Sequence, residues 1–141
     1  MYTIDAEESD YLYTELSLLP NAGNGLHTAI PIFKGEIIAL YRGEILSDEE
    51  AEKRAAARKD QYFVSMLDGS IMDSIDSACW AKFANDAEAF ADSKIKNNAK
   101  ITVDEDENVC LMATRKIKAG EEIFCGYGKR YWKNAHQDVQ N

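Results

Sequence analysis

Short runs of alternating apolar and polar residues, each closed by a turn-forming cluster, recur along most of this chain and predict many short β-strands. Residues 11–19 alternate loosely and read as a first strand, which stops at Pro20-Asn21-Ala22-Gly23-Asn24-Gly25. Residues 26–32 resume an extended pattern broken by Pro31. After Lys34-Gly35, residues 36–41 read as another strand, and 42–46 extend it or bulge at Gly43. The period then changes. Ser47-Asp48-Glu49-Glu50 has capping-box spacing, and residues 51–59 are rich in Ala, Glu, Lys and Arg, so one helix is predicted, polar enough to lie on the surface. Strands follow at 61–67 and 70–75 around the hairpin signal Asp68-Gly69. Residues 77–83 read as a short helix carrying Trp80 and Phe83, and 85–98 as a polar connection. Two further strands, 100–103 and 109–113, flank an acidic turn at 104–108. A last strand runs through Glu121-Glu122-Ile123-Phe124-Cys125 into Gly126-Tyr127-Gly128, followed by Lys129-Arg130-Tyr131-Trp132.

With 141 residues the chain is one domain's worth and can bury a core. An apolar fraction of 45% and a charged fraction of 29% are those of an ordinary globular protein. No apolar run is long enough to span a bilayer, and the start lacks a signal-peptide pattern, so a cytoplasmic or nuclear setting is expected rather than secretion. Cys79, Cys110 and Cys125 are odd in number and widely spaced, and His27 and His136 are isolated, which argues against a disulfide framework or a metal site. The net charge of −9, from 25 acidic and 16 basic residues, repels nucleic acid and attracts basic partners.

Four separated pieces carry a family pattern. Gly23-Asn24-Gly25-Leu26-His27-Thr28-Ala29 resembles the glycine motif of SET-domain proteins, and Tyr41-Arg42-Gly43-Glu44 their Tyr-x-Gly motif. Lys82-Phe83-Ala84-Asn85-Asp86 resembles the third motif, usually Arg-Phe-x-Asn-His. Glu121-Glu122-Ile123-Phe124-Cys125-Gly126-Tyr127 resembles the fourth, which ends in the reactive-site tyrosine. Each is weak alone; their joint order and spacing is specific. The resemblance divides the chain into an N-terminal segment at 1–14, a SET domain at 15–132 and a polar tail at 133–141. It implies a mostly β, SET-like fold of several small curved sheets around a threaded, knot-like core, with one clear surface helix.

The resemblance also implies a protein-lysine N-methyltransferase that uses S-adenosyl-L-methionine on a lysine-containing basic protein or peptide, histone or other, with no nucleic acid or membrane partner. Tyr127 is then the catalytic residue and also borders the cofactor. Gly23, Asn24, Gly25 and Leu26 offer backbone groups to the cofactor's amino-acid end, Asn85 bonds it, and Asp86 reaches the adenine through its carbonyl. Trp132 either stacks on the adenine or caps the core. Tyr62 either lines the lysine channel or packs in the core. Phe124 and Cys125 belong to the substrate side; strand alternation sets Ile123, Cys125 and Tyr127 on one face and Phe124 on the other. A cysteine there is small, which implies di- or trimethylation; the alternative is that Cys125 packs as a small hydrophobe. Asp86 in place of histidine and Lys82 in place of arginine are departures, and they leave open a catalytically inactive SET-like peptide-binding or interaction module.

Overall fold

A computed structural model of the chain describes residues 1–66, 68–89 and 94–126. These fall into two compact units, one made of Met1–Tyr41 with Trp80–Gly126, the other described through residues 42–66 and 68–79. The architecture is mostly β, in three small antiparallel sheets of three strands each, as the alternation predicts. Among the described residues no helix is long and apolar enough to cross a membrane.

The first unit holds two of the sheets. A one-turn helix α1 (Glu8–Tyr11) leads into β1 (Leu12–Leu16), which pairs antiparallel with β2 (Asn24–Thr28) in the register Leu12 with Thr28 to Leu16 with Asn24. The predicted first strand is therefore shorter at both ends. Tyr11 falls in the helical turn, where its hydroxyl donates to the Ile38 carbonyl at 2.7 Å. Strand β2 begins two residues earlier than the pattern indicated, because Asn21 (φ 60°) and Gly23 (φ 69°) complete the turn before Asn24. The other side of β2 carries β9 (Glu122–Ile123). In the second sheet, β3 (Ile37–Leu40) pairs with β8 (Val109–Ala113), which pairs with β7 (Ala99–Val103). The acidic turn between β7 and β8 is where expected: the Asp104 carboxylate accepts from the backbone N–H groups of Asp106 (2.9 Å) and Asn108 (2.8 Å).

The segment after β9 gives the unit its crossing. Phe124 bridges Asn85 and Cys125 bridges Ala99, both in parallel sense. Cys125 N donates to the Asn85 carbonyl at 2.8 Å, and the Phe124 carbonyl accepts from Asn98 N and Ala99 N, each at 3.0 Å. The chain here runs between two earlier segments. Asn98 fastens it. Its side chain is buried, accepts from Phe124 N at 2.8 Å through Oδ1 and donates to the Glu122 carbonyl at 3.0 Å through Nδ2. A buried carboxamide with both ends satisfied fixes one register where an apolar side chain would not.

The second unit contains β4 (Glu44–Leu46), β5 (Phe63–Ser65) and β6 (Ile71–Asp73), ordered β4-β6-β5, and the helix α2 (Asp48–Ala56). Residues 42–46 neither extend nor bulge β3; they start this separate sheet. Gly43 makes the approach possible, since a Cβ there would lie 2.4 Å from the Asp73 carbonyl oxygen. Helix α2 starts as predicted, with Ser47 Oγ accepting from Glu50 N at 3.1 Å. The Glu50 carboxylate turns instead to Arg54 Nε at 2.9 Å. The helix stops at Ala56 rather than at Lys59 because Arg58 takes a left-handed conformation (φ 60°). Ala51 is its buried residue and packs with Leu46, Phe63 and Ile71. The predicted strand at 61–67 shrinks to β5, leaving Tyr62 in the preceding turn. In the first unit, the expected helix at 77–83 is a 3₁₀ turn at Ala81–Phe83, and the polar connection contains another at Ala87–Ala89.

Candidate functional site

Asn85 joins the first, third and fourth motifs. Its side-chain Nδ2 donates to the Asn24 carbonyl at 3.2 Å, and its own carbonyl accepts from Cys125 N at 2.8 Å. One residue thus ties the start of β2 to the chain leaving β9, immediately before Gly126 and Tyr127. Gly23 and Asn24 are exposed, whereas Gly25 and Leu26 are buried. Nothing lies within 4 Å of the position a Gly23 side chain would take, while the Gly23 carbonyl accepts from Ser17 N at 2.8 Å.

Gly25 is hemmed in by protein. A Cβ there would fall 2.1 Å from Glu122 Oε2 and 3.2 Å from Asn85 Nδ2. Glu122 is itself buried, and its carboxylate accepts from Ser17 Oγ at 2.6 Å and Leu18 N at 2.8 Å. The carboxylate therefore binds the loop after β1 to β9 and passes against the Gly25 backbone. His27 lies beyond, buried, with Nδ1 3.2 Å from the Gly25 carbonyl and its ring stacked on Tyr13 at 5.4 Å between centroids.

Asp86 looks after its own loop. Its Oδ1 accepts from Glu88 N at 3.0 Å and from Asn97 Nδ2 at 2.9 Å, while Asn97 Oδ1 accepts from Ala87 N at 2.9 Å. The aspartate standing where the family has histidine thus closes the loop around 86–97. Lys82 Nζ lies 5.3 Å from the centroid of the adjacent Phe83 ring.

Two residues expected on the substrate side have described positions. Phe124 is a core residue, only 3% exposed, in a cluster with Leu19 and Ala87. Tyr62 is in a turn rather than on a strand, and its carbonyl accepts from Ser74 N at 3.3 Å within the second unit. Cys125 is fully buried, and whether it shares a face with Tyr127 lies outside the described residues, as do Tyr127 and Trp132 themselves. Glu122, Asn98 and Ser17 carry no mark of these roles in the sequence: Glu122 lies in the fourth motif, but a carboxylate in a strand gives no local sign that a distant serine will bury it.

The donor set suits a polar, zwitterionic ligand. The exposed Asn24 carboxamide and the half-buried Asn85 carboxamide offer neutral hydrogen-bonding groups at one place. These features meet the needs of the amino-acid end of S-adenosylmethionine.

A mostly β fold with these motifs meeting around Asn85 defines a SET domain, and the SET-domain family model matches residues 23–128, so the chain belongs to that family. It is 32% identical over 111 residues to histone-lysine N-methyltransferase mes-2 of Caenorhabditis elegans, an alignment covering 75% of this chain and 14% of that protein. It is 28% identical over 123 residues to histone-lysine N-methyltransferase EZH2 of Chaetomium thermophilum, covering 82% of this chain and 8% of the relative. The chain therefore spans a small fraction of the length of these relatives.

Proposed function

We propose that this protein is a protein-lysine methyltransferase that uses S-adenosylmethionine and acts on a basic protein segment. Membership of the SET-domain family supports the reading, as do the histone-lysine methyltransferase names of both relatives. The observation that carries it is the tie made by Asn85 between Asn24 and Cys125. It gathers the glycine motif and the approach to Tyr127 at one place.

In this reading Gly23, Asn24, Gly25 and Leu26 hold the cofactor's amino-acid end through backbone groups, helped by the Asn24 and Asn85 carboxamides. Asp86 keeps its loop closed, and Trp132 covers the adenine. When bound, the cofactor supplies a sulfonium methyl group open to in-line attack by a neutral amine. The chain's task is to deliver that amine without its proton and in line. Burial of the arriving lysine beside the cofactor lowers its pKa, because burial disfavours its charged form. The Tyr127 hydroxyl orients the amine, and holding two reactants in a near-attack geometry is worth several kcal/mol, roughly 7–11 in the best-oriented systems. The small Cys125 leaves space for an amine already carrying methyl groups. The acidic surface draws lysine-rich segments, histone tails among them.

The test is a thermal-shift titration with S-adenosylmethionine and its demethylated product, followed by mass spectrometry of a lysine-rich histone peptide. A native-state ligand raises the melting temperature with dose, and the peptide should gain two or three methyl groups. A folded protein that shows no shift at saturating cofactor sinks the enzyme reading. Binding without turnover on any lysine-rich substrate favours the inactive module. Tyr127→Phe should keep the shift and lose most of the turnover.

A further inference from the structure

Among the described residues, strand β1 has one edge that no other strand covers. It is the outer strand of the β1-β2-β9 sheet, and among the described residues only β2 pairs with it. Ala29 N donates to the Tyr11 carbonyl and Ser17 N to the Gly23 carbonyl, each at 2.8 Å, at the two ends of the ladder. Hydrogen-bonded pairs recur at every second residue of an antiparallel ladder. Tyr13 and Glu15 therefore turn their backbone groups toward β2, and Thr14 and Leu16 turn theirs away from it. The open stretch has definite ends. Leu12 N–H is taken by the Glu8 carbonyl, and Leu18 N–H by the Glu122 carboxylate at 2.8 Å.

Edges of this kind are usually blunted by charge, proline or a covering segment. The side chains here do the opposite. Thr14 and Leu16 share one face of β1, and the strand's single charge, Glu15, points to the other. Leu16 is 76% exposed and Leu18 71% exposed, the two most exposed large apolar residues described. Two exposed leucines beside unpaired backbone groups offer both hydrogen bonds and apolar contact to an added strand.

Charge selects the occupant. The first 26 residues hold five carboxylates, Asp5, Glu7, Glu8, Asp10 and Glu15, and no lysine, arginine or histidine. A second copy of this chain, docked edge to edge, would bring these carboxylates together on molecules that each carry a net charge of −9. A basic partner meets the opposite situation. We propose that the β1 edge docks an extended protein segment in which lysine or arginine alternates with apolar residues, adding a fourth strand to the sheet. The basic side chains lie near Glu15 and the acidic residues preceding β1, and the apolar ones against Leu16 and Leu18. This docking is separate from methyl transfer and does not require it.

The experiment is fluorescence polarisation of the full chain with a fluorescein-labelled decapeptide of alternating lysine and valine. Binding should weaken with salt, and hydrogen exchange at the Thr14 and Leu16 amides should slow on binding. Thr14→Pro removes a donor that faces away from β2, so the ladder stays whole. Leu16→Lys alters an exposed side chain and does not threaten folding. Each should weaken binding about tenfold, as loss of one good hydrogen bond or of one apolar contact joined by like charge does. The proposal is overturned if the peptide does not bind, if a glutamate-valine peptide binds equally well, or if both variants bind as the wild type does. It is also overturned if the wild type sediments as a dimer that Leu16→Lys dissociates, because the occupant is then a second copy.

Discussion

Glycine at position 25 answers to a carboxylate far along the sequence. Glu122 is held by Ser17 and Leu18, so it cannot swing away from a new Cβ without breaking two hydrogen bonds. Gly25→Ala should therefore destabilise the protein by about 2 kcal/mol, as overpacking does. In Gly25→Ala with Glu122→Ala the clash with the carboxylate is gone and only the tight contact with Asn85 Nδ2 remains, so the double variant should lose less than the two singles summed, by about 1 kcal/mol. Urea unfolding of all four proteins measures this, and strict additivity would separate the two residues. Asn98 makes a second prediction at this scale. Asn98→Ala leaves Phe124 N–H and the Glu122 carbonyl buried without their partner, costing about 2–4 kcal/mol. Asn97→Ala should cost less, because Asn97 is only half-buried and water can replace it.

Among the elements, α2 depends on a side chain more than on its own polar face. Arg54 reaches Glu50 within the helix (2.9 Å), Asp73 on β6 (2.9 Å) and Glu44 on β4 (3.2 Å). Glu44 is exposed and adds little, whereas the Asp73 carboxylate is buried and has Arg54 as its counter-charge. Arg54→Met should accordingly loosen the second unit far more than Glu44→Ala does. Adding Asp73→Asn to Arg54→Met should recover part of the loss. Hydrogen exchange of the β5 and β6 amides reads both effects, and equal exchange in Arg54→Met and Glu44→Ala would count against the pair.

For the molecule as a whole, two buried acids set an alkaline limit. Burial pushes the Cys110 thiol up from 9.0 to about 11, with Asp104 adding to it. Burial, followed by Glu8 and Glu36, pushes the Tyr11 hydroxyl up from 10.0 to about 12. Both groups hold their protons more tightly folded than unfolded. Their stabilising contribution is complete below pH 9 and is lost as pH rises, between 9 and 11 for Cys110 and between 10 and 12 for Tyr11. Unfolding free energy should fall across this range by at most about 1.4 kcal/mol per pH unit for each group. Denaturation curves from pH 8 to 10.5 should show the decline, and Cys110→Ala should flatten its lower part. A wild type equally stable at pH 8 and 10.5 would mean these groups titrate alike folded and unfolded.

The alternation of residues determined the strands at β3, β7 and β8 and the hairpin of β5 and β6, because a period of two and a turn signal are local properties. Ser47 likewise determined where α2 starts, since a cap needs only the next turn of chain. Motif order was enough to identify the family, because the same four pieces must recur along the sequence wherever that site is built. Only the tertiary structure decided which pieces meet. It moved residues 44–46 into a separate sheet, sent Phe124 into the core, and engaged the Asp86 carboxylate with Asn97. It also buried Glu122 and Asn98, two polar residues whose partners lie on other strands and loops. Burial and long-range pairing depend on where distant segments cross, and the residues at the crossing look, one by one, like ordinary strand and loop residues.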